Sequence, residues 1–132
     1  MSIFGAMNIA GSGLVVNRKW MDAVSDNIAN LNNVSSMNDK AYQARFVVAR
    51  PNNYGNEGGA LVAGHLWGNP EGRVVDMQGH PLADANGNVR VPDIDLASQM
   101  AQLMLAQRAY QANLSVVERS RSAYEAAIGI GK

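Results

Sequence analysis

The residues best suited to chemistry lie close together in one stretch, GHPLADANGNVRVPDIDL, residues 79–96. Four of its side chains offer oxygen ligands at positions 1, 3, 5 and 12 of an EF-hand calcium loop: Asp84, Asn86, Asn88 and Asp95. Such a loop needs glycine at position 6 and favours glutamate at position 12, whereas the sequence has Val89 and Asp95 there. Calcium binding is therefore an alternative interpretation that departs from its motif at two positions.

The two histidines, His65 and His80, are the other candidates for metal binding or acid–base chemistry, with Asp76 near them. Their spacing does not match a helical pair such as H-E-x-x-H, and the sequence contains neither G-x-S-x-G nor a glycine-rich phosphate loop. The chain has no cysteine, which removes thiolate metal sites and a cysteine nucleophile. We therefore predict no enzyme activity, no cofactor and no metal site.

The acidic stretch is also typical of a chain reversal followed by a helix. Asn86 and Gly87 both tolerate positive φ, which predicts a two-residue type I′ turn between the short runs PLADA and NVRV. Pro92 cannot donate to a strand ladder, so it ends the second run. Asp93 or Asp95 then caps the following helix and interacts favourably with its positive end. On this interpretation the acidic residues shape the chain and bind nothing.

Length, charge and hydropathy limit the classes of protein that remain. The chain has 132 residues with 11 basic and 11 acidic side chains, so it lacks the basic surface that nucleic-acid binding requires. No apolar run approaches the roughly 20 residues needed to cross a bilayer. The N-terminus has no positive charge before Arg18, although a secretory signal needs one. We therefore expect a cytoplasmic location unless another route exports the chain.

Apolar residues in the first third recur at alternating steps of three and four residues, as in a heptad repeat. The members of this seam are Met7, Ala10, Leu14, Asn17, Met21, Val24, Ile28 and Leu31. Gly11 and Gly13 lie within it, and each costs about 1 kcal/mol relative to alanine in an isolated helix. The segment is therefore predicted to be a weak helix that needs a packing partner.

The last third repeats this spacing and predicts a second helix of about 33 residues, or roughly 50 Å. Its seam runs through Leu96, Met100, Leu103, Gln107, Tyr110, Leu114, Val117, Arg121, Tyr124 and Ile128. Ala97, Met104 and Ala109 widen the apolar face. A rod of that length is longer than a compact chain of 132 residues needs.

The residues between the helices are rich in Gly, Asn and Pro and contain short β-prone runs. These runs cover 42–50, 60–67, 72–77 and 88–91, with loops at 51–59 and 68–72. We therefore predict a mainly α fold with a small β region, in which long, coiled-coil-like terminal helices flank antiparallel hairpins. The predicted segments are an N-terminal helix in 1–33, a hairpin and loop region in 34–93, and a C-terminal helix in 94–132.

The two seams together carry more apolar surface than so small a middle region can cover. Large exposed apolar stripes usually mark a contact with another chain. We therefore expect the terminal helices to pack against copies of the chain or its relatives, and the free chain to be marginally ordered. The side chains expected to make these contacts are Met7, Leu14, Met21, Val24, Ile28, Leu31, Met100, Leu103, Tyr110, Leu114, Val117 and Tyr124.

Two motifs resemble a known family. The first, Ser25-Asp26-Asn27-Ile28-Ala29-Asn30, is similar to the S-x-N-x-A-N signature of the bacterial flagellar axial proteins, which build the rod, hook and hook junction. The second, GHPLADANGNVRVPDIDL with the later SQMAQLMLAQRAYQANLSVVE, resembles the proximal rod members of that family. The residues that carry the resemblance are Ser25, Asn27, Ala29, Asn30, Pro81, Leu82, Asp84, Gly87, Pro92 and Asp95.

The resemblance implies a structural subunit of the flagellar basal-body rod, a helical tube that crosses the periplasm, transmits motor torque and encloses the export channel. The implied partners are copies of itself, other rod subunits and the flagellar type III export machinery, with the membrane ring and the surrounding ring proteins as further candidates. Export by that route would need no cleaved signal peptide. The alternatives are another axial subunit, from the distal rod or hook, and a non-flagellar helical adaptor.

Overall fold

The computed structural model describes residues 2–53 and 58–131, and two long helices contain 27 and 35 residues. In chain order the elements are helix α1 (Ile3–Ala29), strands β1 (Arg45–Pro51), β2 (Ala60–Trp67), β3 (Arg73–Asp76) and β4 (Asn88–Val91), and helix α2 (Leu96–Ile130). The prediction of a mainly α chain with a small β region of hairpins is confirmed. Residues 54–57, part of the predicted loop 51–59, lie outside the described residues.

Helix α1 begins where Ser2 caps it. The Ser2 Oγ accepts the backbone N–H of Gly5 at 3.0 Å, which satisfies one of the free donors of the first turn. At the other end, the Asp26 carbonyl oxygen accepts both the backbone N–H of Asn30 at 3.1 Å and the Asn30 Nδ2 at 2.8 Å. The predicted N-terminal seam therefore lies on α1, except for Leu31, which follows the helix.

Helix α2 begins at the acidic stretch, as predicted. Asp95 is its N-cap, because Asp95 Oδ2 accepts the Ser98 N–H at 2.9 Å. Pro92 follows the last residue of β4 and is buried, so it ends the strand as expected. Within the part of the chain that the structure describes, neither helix is long and apolar enough to cross a membrane.

The first hairpin joins β1 to β2. Two backbone hydrogen bonds flank the pair, from the Gly68 N–H to the Ala44 carbonyl oxygen at 2.7 Å and from the Asn52 N–H to the Gly59 carbonyl oxygen at 2.9 Å. As the residue number rises along β1, the number of its partner on β2 falls, which is the pairing of antiparallel strands. The predicted runs 42–50 and 60–67 are therefore paired with each other.

The second hairpin joins β3 to β4 in antiparallel register, with Val75 opposite Val89. Ser35 bridges the other edge of β4, since the N–H and carbonyl groups of Ser35 and Arg90 exchange two hydrogen bonds of 2.9 Å. Strand β4 thus has hydrogen-bonded neighbours on both edges, and Val89 and Val91 are buried. This central position makes β4 the best-protected strand of the β region.

The turn before β4 differs from the prediction. The expected type I′ turn is wrong, because Gly87 has a φ of 83° but Asn86 is not among the residues with positive φ, and that turn needs both. Asp84 Oδ1 instead accepts the N–H groups of Asn86 and Asn88, both at 2.9 Å. The side chain of Asp84 therefore organises the reversal, and β4 pairs with β3 across the connection 77–87.

Internal contacts divide the chain into two compact units. Unit 1 comprises Met1–Met21, Val47–Gly64 and Met104–Lys132, and unit 2 comprises Asp22–Phe46 and His65–Leu103. The largest fully buried side chains are all in unit 2: Val24, Val89, Asn27 and Pro92. Among the described residues of unit 1, only Ala10, Asn17 and Ala106 are buried. The apolar core therefore lies mainly in unit 2.

Candidate functional site

The predicted seam of α1 lies on the buried side of the helix. Ala10, Asn17 and Val24 are buried, and the remaining members are partly buried, namely Met7, Leu14, Met21, Ile28 and Leu31. The intervening residues Val15 and Arg18 are exposed. The spacing of apolar residues therefore predicted which face of α1 packs within the chain.

The buried face of α2 is rotated away from the predicted seam. Leu103, Tyr110 and Val117 are partly buried, but Met100, Leu114 and Tyr124 are exposed. The second row of the buried face consists of small and polar residues spaced by seven: Gln99, Ala106, Asn113 and Ser120. One row of the predicted seam, from Leu103 to Val117, is thus partly buried within the chain, whereas the row with Met100 and Leu114 remains exposed.

Within unit 1, α1 and α2 pack against each other in antiparallel directions. The rings of Phe4 and Tyr124 meet edge to face with centroids 5.3 Å apart. Further along, a Cβ atom added to Gly13 would lie 2.7 Å from Asn113 Nδ2, so the two helices approach closely there. Gly13, which weakens the isolated helix, therefore makes room for the small and polar row of α2.

Large apolar side chains remain exposed on the unit 1 parts of both helices. We call them the exposed apolar set: Ile3, Phe4, Val15, Met104, Leu105, Leu114, Val116, Tyr124, Ile128 and Ile130. Exposed apolar side chains in such number usually mark a contact with another molecule. Two of the predicted subunit-packing residues, Leu114 and Tyr124, belong to this set.

A groove of about 310 Å³ in unit 1 contains an unpaired amide. Its lining consists of Val16, Asn17, Trp20, Val47 and Ala49. Asn17 is only 9% exposed, and its side chain has no hydrogen-bond partner among the described residues. The amide of Asn17 reaches solvent in the groove, because neither of its polar atoms is among the fully buried, unpartnered side-chain atoms of the described residues. A single polar residue in a heptad seam is a known device for selecting register and partner.

We expect Asn17→Leu to raise the free energy of unfolding of the isolated chain by about 1 kcal/mol, because a leucine there adds apolar contacts with the lining of the groove. Urea denaturation followed by circular dichroism measures the change. Asn33→Leu, at an exposed position after α1, is the matched control and should change stability by less than about 0.5 kcal/mol. A less stable Asn17→Leu chain would contradict the conclusion that this groove accepts an apolar side chain.

The motif residue Asn27 is the centre of a hydrogen-bond network in unit 2. It is fully buried, and its Nδ2 donates to the Gln99 Oε1 and to the Arg45 carbonyl oxygen, both at 3.0 Å. Its Oδ1 accepts the Arg45 N–H at 2.8 Å and the Tyr42 hydroxyl at 3.4 Å. An amide offers two donor hydrogens and two acceptor lone pairs, so all the capacity of Asn27 is used. No other side-chain type of this size could make the same four bonds.

Charged groups border this network. The Arg45 guanidinium forms an ion pair with Asp26, which precedes Asn27 in the motif. Burial and the negative charge of Asp26 raise the pKa of the Tyr42 hydroxyl, while the Arg45 charge opposes them. Tyr42 therefore remains a neutral donor to Asn27 at neutral pH. The network holds the start of β1 against the end of α1 and the first turns of α2.

The structure joins the two family motifs at one point and separates their other residues. Asn27 of the first motif bonds Gln99, which lies in the SQMAQ stretch at the start of the helical part of the second motif. The remaining motif residues either cap and turn the chain or lie at the surface. Asn30 and Asp95 cap the helices, Asp84 and Gly87 form the turn, and Pro92 is buried, whereas Ser25, Ala29, Pro81 and Leu82 are exposed.

Of the side chains considered for chemistry, His80, Asp84 and Asn86 line one surface groove of about 450 Å³, whereas His65 and Asp95 are not part of its lining. His65 is exposed on β2, and His80 Nδ1 accepts the Leu82 N–H at 3.2 Å. Asp84 is engaged in the turn and Asp95 in the helix cap. In the described ranges, no group of three or more His, Cys, Asp or Glu residues could hold a metal ion. The acidic stretch acts in this structure as turn and cap.

Two connecting residues of unit 2 were not predicted from the sequence. Gln99 has a detectable signal, because it shares a seven-residue spacing with Ala106 and Asn113. Arg90 has none: its Nε donates to the Met37 carbonyl oxygen at 3.2 Å, and its Nη1 bonds the Glu71 carbonyl oxygen at 3.1 Å and pairs with the Glu71 carboxylate. Such contacts depend on the tertiary fold and leave no periodic pattern.

Known proteins similar to this chain are consistent with one another. A family model described as Flagellar basal body rod FlgEFG protein C-terminal matches residues 85–130. The flagellar basal-body rod protein FlgC of Salmonella typhimurium is 33% identical over 124 residues, which cover 92% of each chain. The protein of that name from Yersinia enterocolitica is 34% identical over 127 residues and 92% of each chain. The one from Borreliella burgdorferi is 28% identical over 151 residues and 98% of each chain.

Proposed function

We infer how the helices of this chain are used from its family, because the chain belongs to the FlgC family of flagellar basal-body rod proteins. The chain is a structural subunit of the flagellar basal-body rod. We propose that it polymerises through its terminal helices into a helical tube that transmits motor torque and encloses the export channel. In this proposal it has no catalytic role, in agreement with the structural names of its relatives.

The exposed apolar set is the observation that carries this proposal. These side chains lie on the first part of α1 and along α2, where the single chain covers them only in part. Burying an exposed leucine or isoleucine side chain stabilises an assembly by about 1.5–3 kcal/mol. Neighbouring subunits that covered the set would supply this energy, and close-packed interfaces are stiff enough to transmit torque.

The same features suit a chain that is exported before it assembles. Unit 1 has few buried residues among those described, and Gly11 and Gly13 weaken α1. Terminal helices that are marginal in the free chain can pass unfolded through the flagellar type III export channel, and their ordering entropy is then offset on assembly. We therefore propose that the chain uses this route and reaches a rod that crosses the periplasm.

We further propose that three segments divide the work of the subunit. Segments 1–33 and 94–132 would form the inner layers of the tube, and 34–93 would lie outside them. The partners in this arrangement are copies of the chain and other rod subunits, with the membrane ring and surrounding ring proteins as candidates for the outer contacts. The helical segments carry the exposed apolar set, which supports their place at subunit contacts.

Leu114→Asp tests the proposal, because Leu114 is 37% exposed and belongs to the apolar set. A buried carboxylate in a subunit contact is strongly unfavourable, so we expect the variant to abolish swimming and to be absent from isolated basal bodies. Swimming in soft agar and immunoblots of basal bodies, in cells that lack the wild-type chain, measure both effects. Circular dichroism of the purified variant reports whether its helix content is retained.

Ser115→Asp is the matched control, since it adds the same charge at the next, exposed position of α2 without removing an apolar side chain. We expect cells with this variant to swim and to incorporate the chain. Normal swimming of Leu114→Asp cells would contradict the proposal that α2 packs between subunits. Loss of function in both variants would assign the effect to charge alone.

A further inference from the structure

Unit 2 contains a cavity with a mainly apolar lining. It has a volume of about 400 Å³ and lies between the residues after α1, the β3–β4 hairpin and the start of α2. Its apolar lining includes Leu31, Val34, Val75, Met77, Ile94 and Leu96. Leu96 is 42% exposed at its rim. An apolar side chain from outside would therefore gain contacts there without displacing part of the core.

One charged side chain, Arg73, lines the same cavity. Its Nε lies 3.8 Å from Asp93 Oδ1, and the side chain is more than half exposed. A guanidinium has five N–H donors, so this distant contact leaves most of them for another acceptor. The cavity therefore suits an occupant that combines apolar side chains with hydrogen-bond acceptors of negative character.

The last turn of α2 has this combination. Ile128 and Ile130 are 49% and 88% exposed, so they have little cover in their own chain. The last carbonyl groups of a helix lack intrahelical donors and form the negative end of its dipole. The turn itself contains no basic side chain, and among the described residues the Ile128 carbonyl oxygen accepts a bond from the Gly131 N–H at 3.2 Å.

We propose that the last turn of α2 of one copy docks into the Leu96–Arg73 cavity of a second copy of this chain. Ile128 and Ile130 enter the cavity, and Arg73 donates to the free carbonyl groups of the turn. The donor and acceptor surfaces differ, so each copy can use both at once, and such heterologous contacts build closed rings or open helical arrays. The inference rests on the proposed assembly function and names one contact within it.

Cross-linking tests this contact directly, because the chain has no cysteine of its own. Two purified full-length variants, Ile130→Cys and Leu96→Cys, are mixed, oxidised and separated on a non-reducing gel, with a size tag on one of them. We expect the mixed disulfide dimer to exceed that of the control pair, Ile130→Cys with Trp67→Cys, by at least roughly tenfold. Docking raises the effective concentration of the two thiols toward millimolar values. Trp67 is 61% exposed on β2, so the control thiol is more accessible than the one under test.

Arg73→Glu in the Leu96→Cys chain provides a second readout. It places a negative charge opposite the carbonyl groups of the turn, and we expect it to reduce the mixed dimer to the level of the control pair. Equal yields for the Leu96→Cys and Trp67→Cys pairs would overturn the proposal. The proposal would also be overturned if the Leu96→Cys chain formed a disulfide with another rod subunit and not with a copy of this chain. The proposed assembly into a rod would not be affected by that result. Loss of swimming in Leu114→Asp cells tests assembly independently of this contact.

Discussion

Replacing Asn27 with leucine is expected to lower the free energy of unfolding by about 4 kcal/mol, because it leaves several buried polar groups without partners. The Gln99 Oε1 and the N–H and carbonyl groups of Arg45 would each lose their bond to Asn27. An unsatisfied buried group costs about 1–3 kcal/mol. Since a folded domain is stable by about 5–15 kcal/mol in total, this loss threatens the fold of unit 2. Urea denaturation followed by circular dichroism measures it.

Two further variants separate the network from the motif around it. Asn30→Leu changes the other asparagine of the motif, whose side chain makes an exposed bond to the Asp26 carbonyl oxygen and contacts the Tyr42 hydroxyl at the border of the network, and should cost no more than about 1 kcal/mol. Gln99→Leu combined with Asn27→Leu removes both ends of one bond, so the pair should lose less than the sum of the single changes, by about 1–2 kcal/mol. Strict additivity would show that Asn27 and Gln99 do not interact.

Replacing Gly72 with alanine is expected to be the most damaging methyl addition in the β region. Gly72 has a φ of 59°, and its added Cβ would overlap the Val91 carbonyl oxygen and lie 2.5 Å from the Ala41 Cβ. Val91 belongs to β4, which is held on both edges, and Ala41 is buried, so neither can move freely. Overpacking of this kind adds to the strain of positive φ, and we expect a loss of about 3–5 kcal/mol.

Gly79→Ala is the matched control for Gly72→Ala. Gly79 has a φ of 85° but no atom within 4 Å of an added Cβ, so alanine there meets conformational strain alone. We expect a loss of about 1–2 kcal/mol, and the difference between the two variants isolates the steric overlap. Thermal melts compare their stabilities, and hydrogen exchange at the Val89 and Val91 amides reports the hairpin. Equal losses would contradict the tight packing of Gly72 against β4.

The helices could be predicted from the sequence because their evidence is local and periodic. The apolar spacing of α1 identified its buried face, from Met7 to Ile28. The buried face of α2 escaped prediction because its second row contains Gln99 and Asn113, which hydropathy assigns to the surface. Gln99 is buried where its Oε1 accepts a bond from Asn27. That partner lies 72 residues away in sequence and cannot be recognised from α2 alone.

The acidic stretch shows a similar limit on a smaller scale. The sequence predicted that Asp93 or Asp95 caps α2, because a cap needs only the residues beside it, and the structure shows that Asp95 does so. The turn at Asn86 and Gly87 was not, since Asp84 competes for the same backbone donors and changes the geometry. For the residues predicted to contact other subunits, the sequence showed the type of side chain but not its exposure. Their apolar character was visible, but only the folded chain distinguishes exposed Leu114 from partly buried Leu103.

The seven-residue row of small and polar side chains on α2 leaves the helix with more than one way to lie along its partner. A slip by one heptad would move α2 by about 10 Å and replace each row member by the next, with similar small side chains meeting α1. The apolar row would tolerate this, since Leu103, Tyr110 and Val117 succeed one another at the same interval. Asn27 would not, because the slip puts Ala106 in place of Gln99 and removes the amide that completes its bonds. The hydrogen bond between Asn27 and Gln99 therefore favours the observed phase of the two helices over a slipped one.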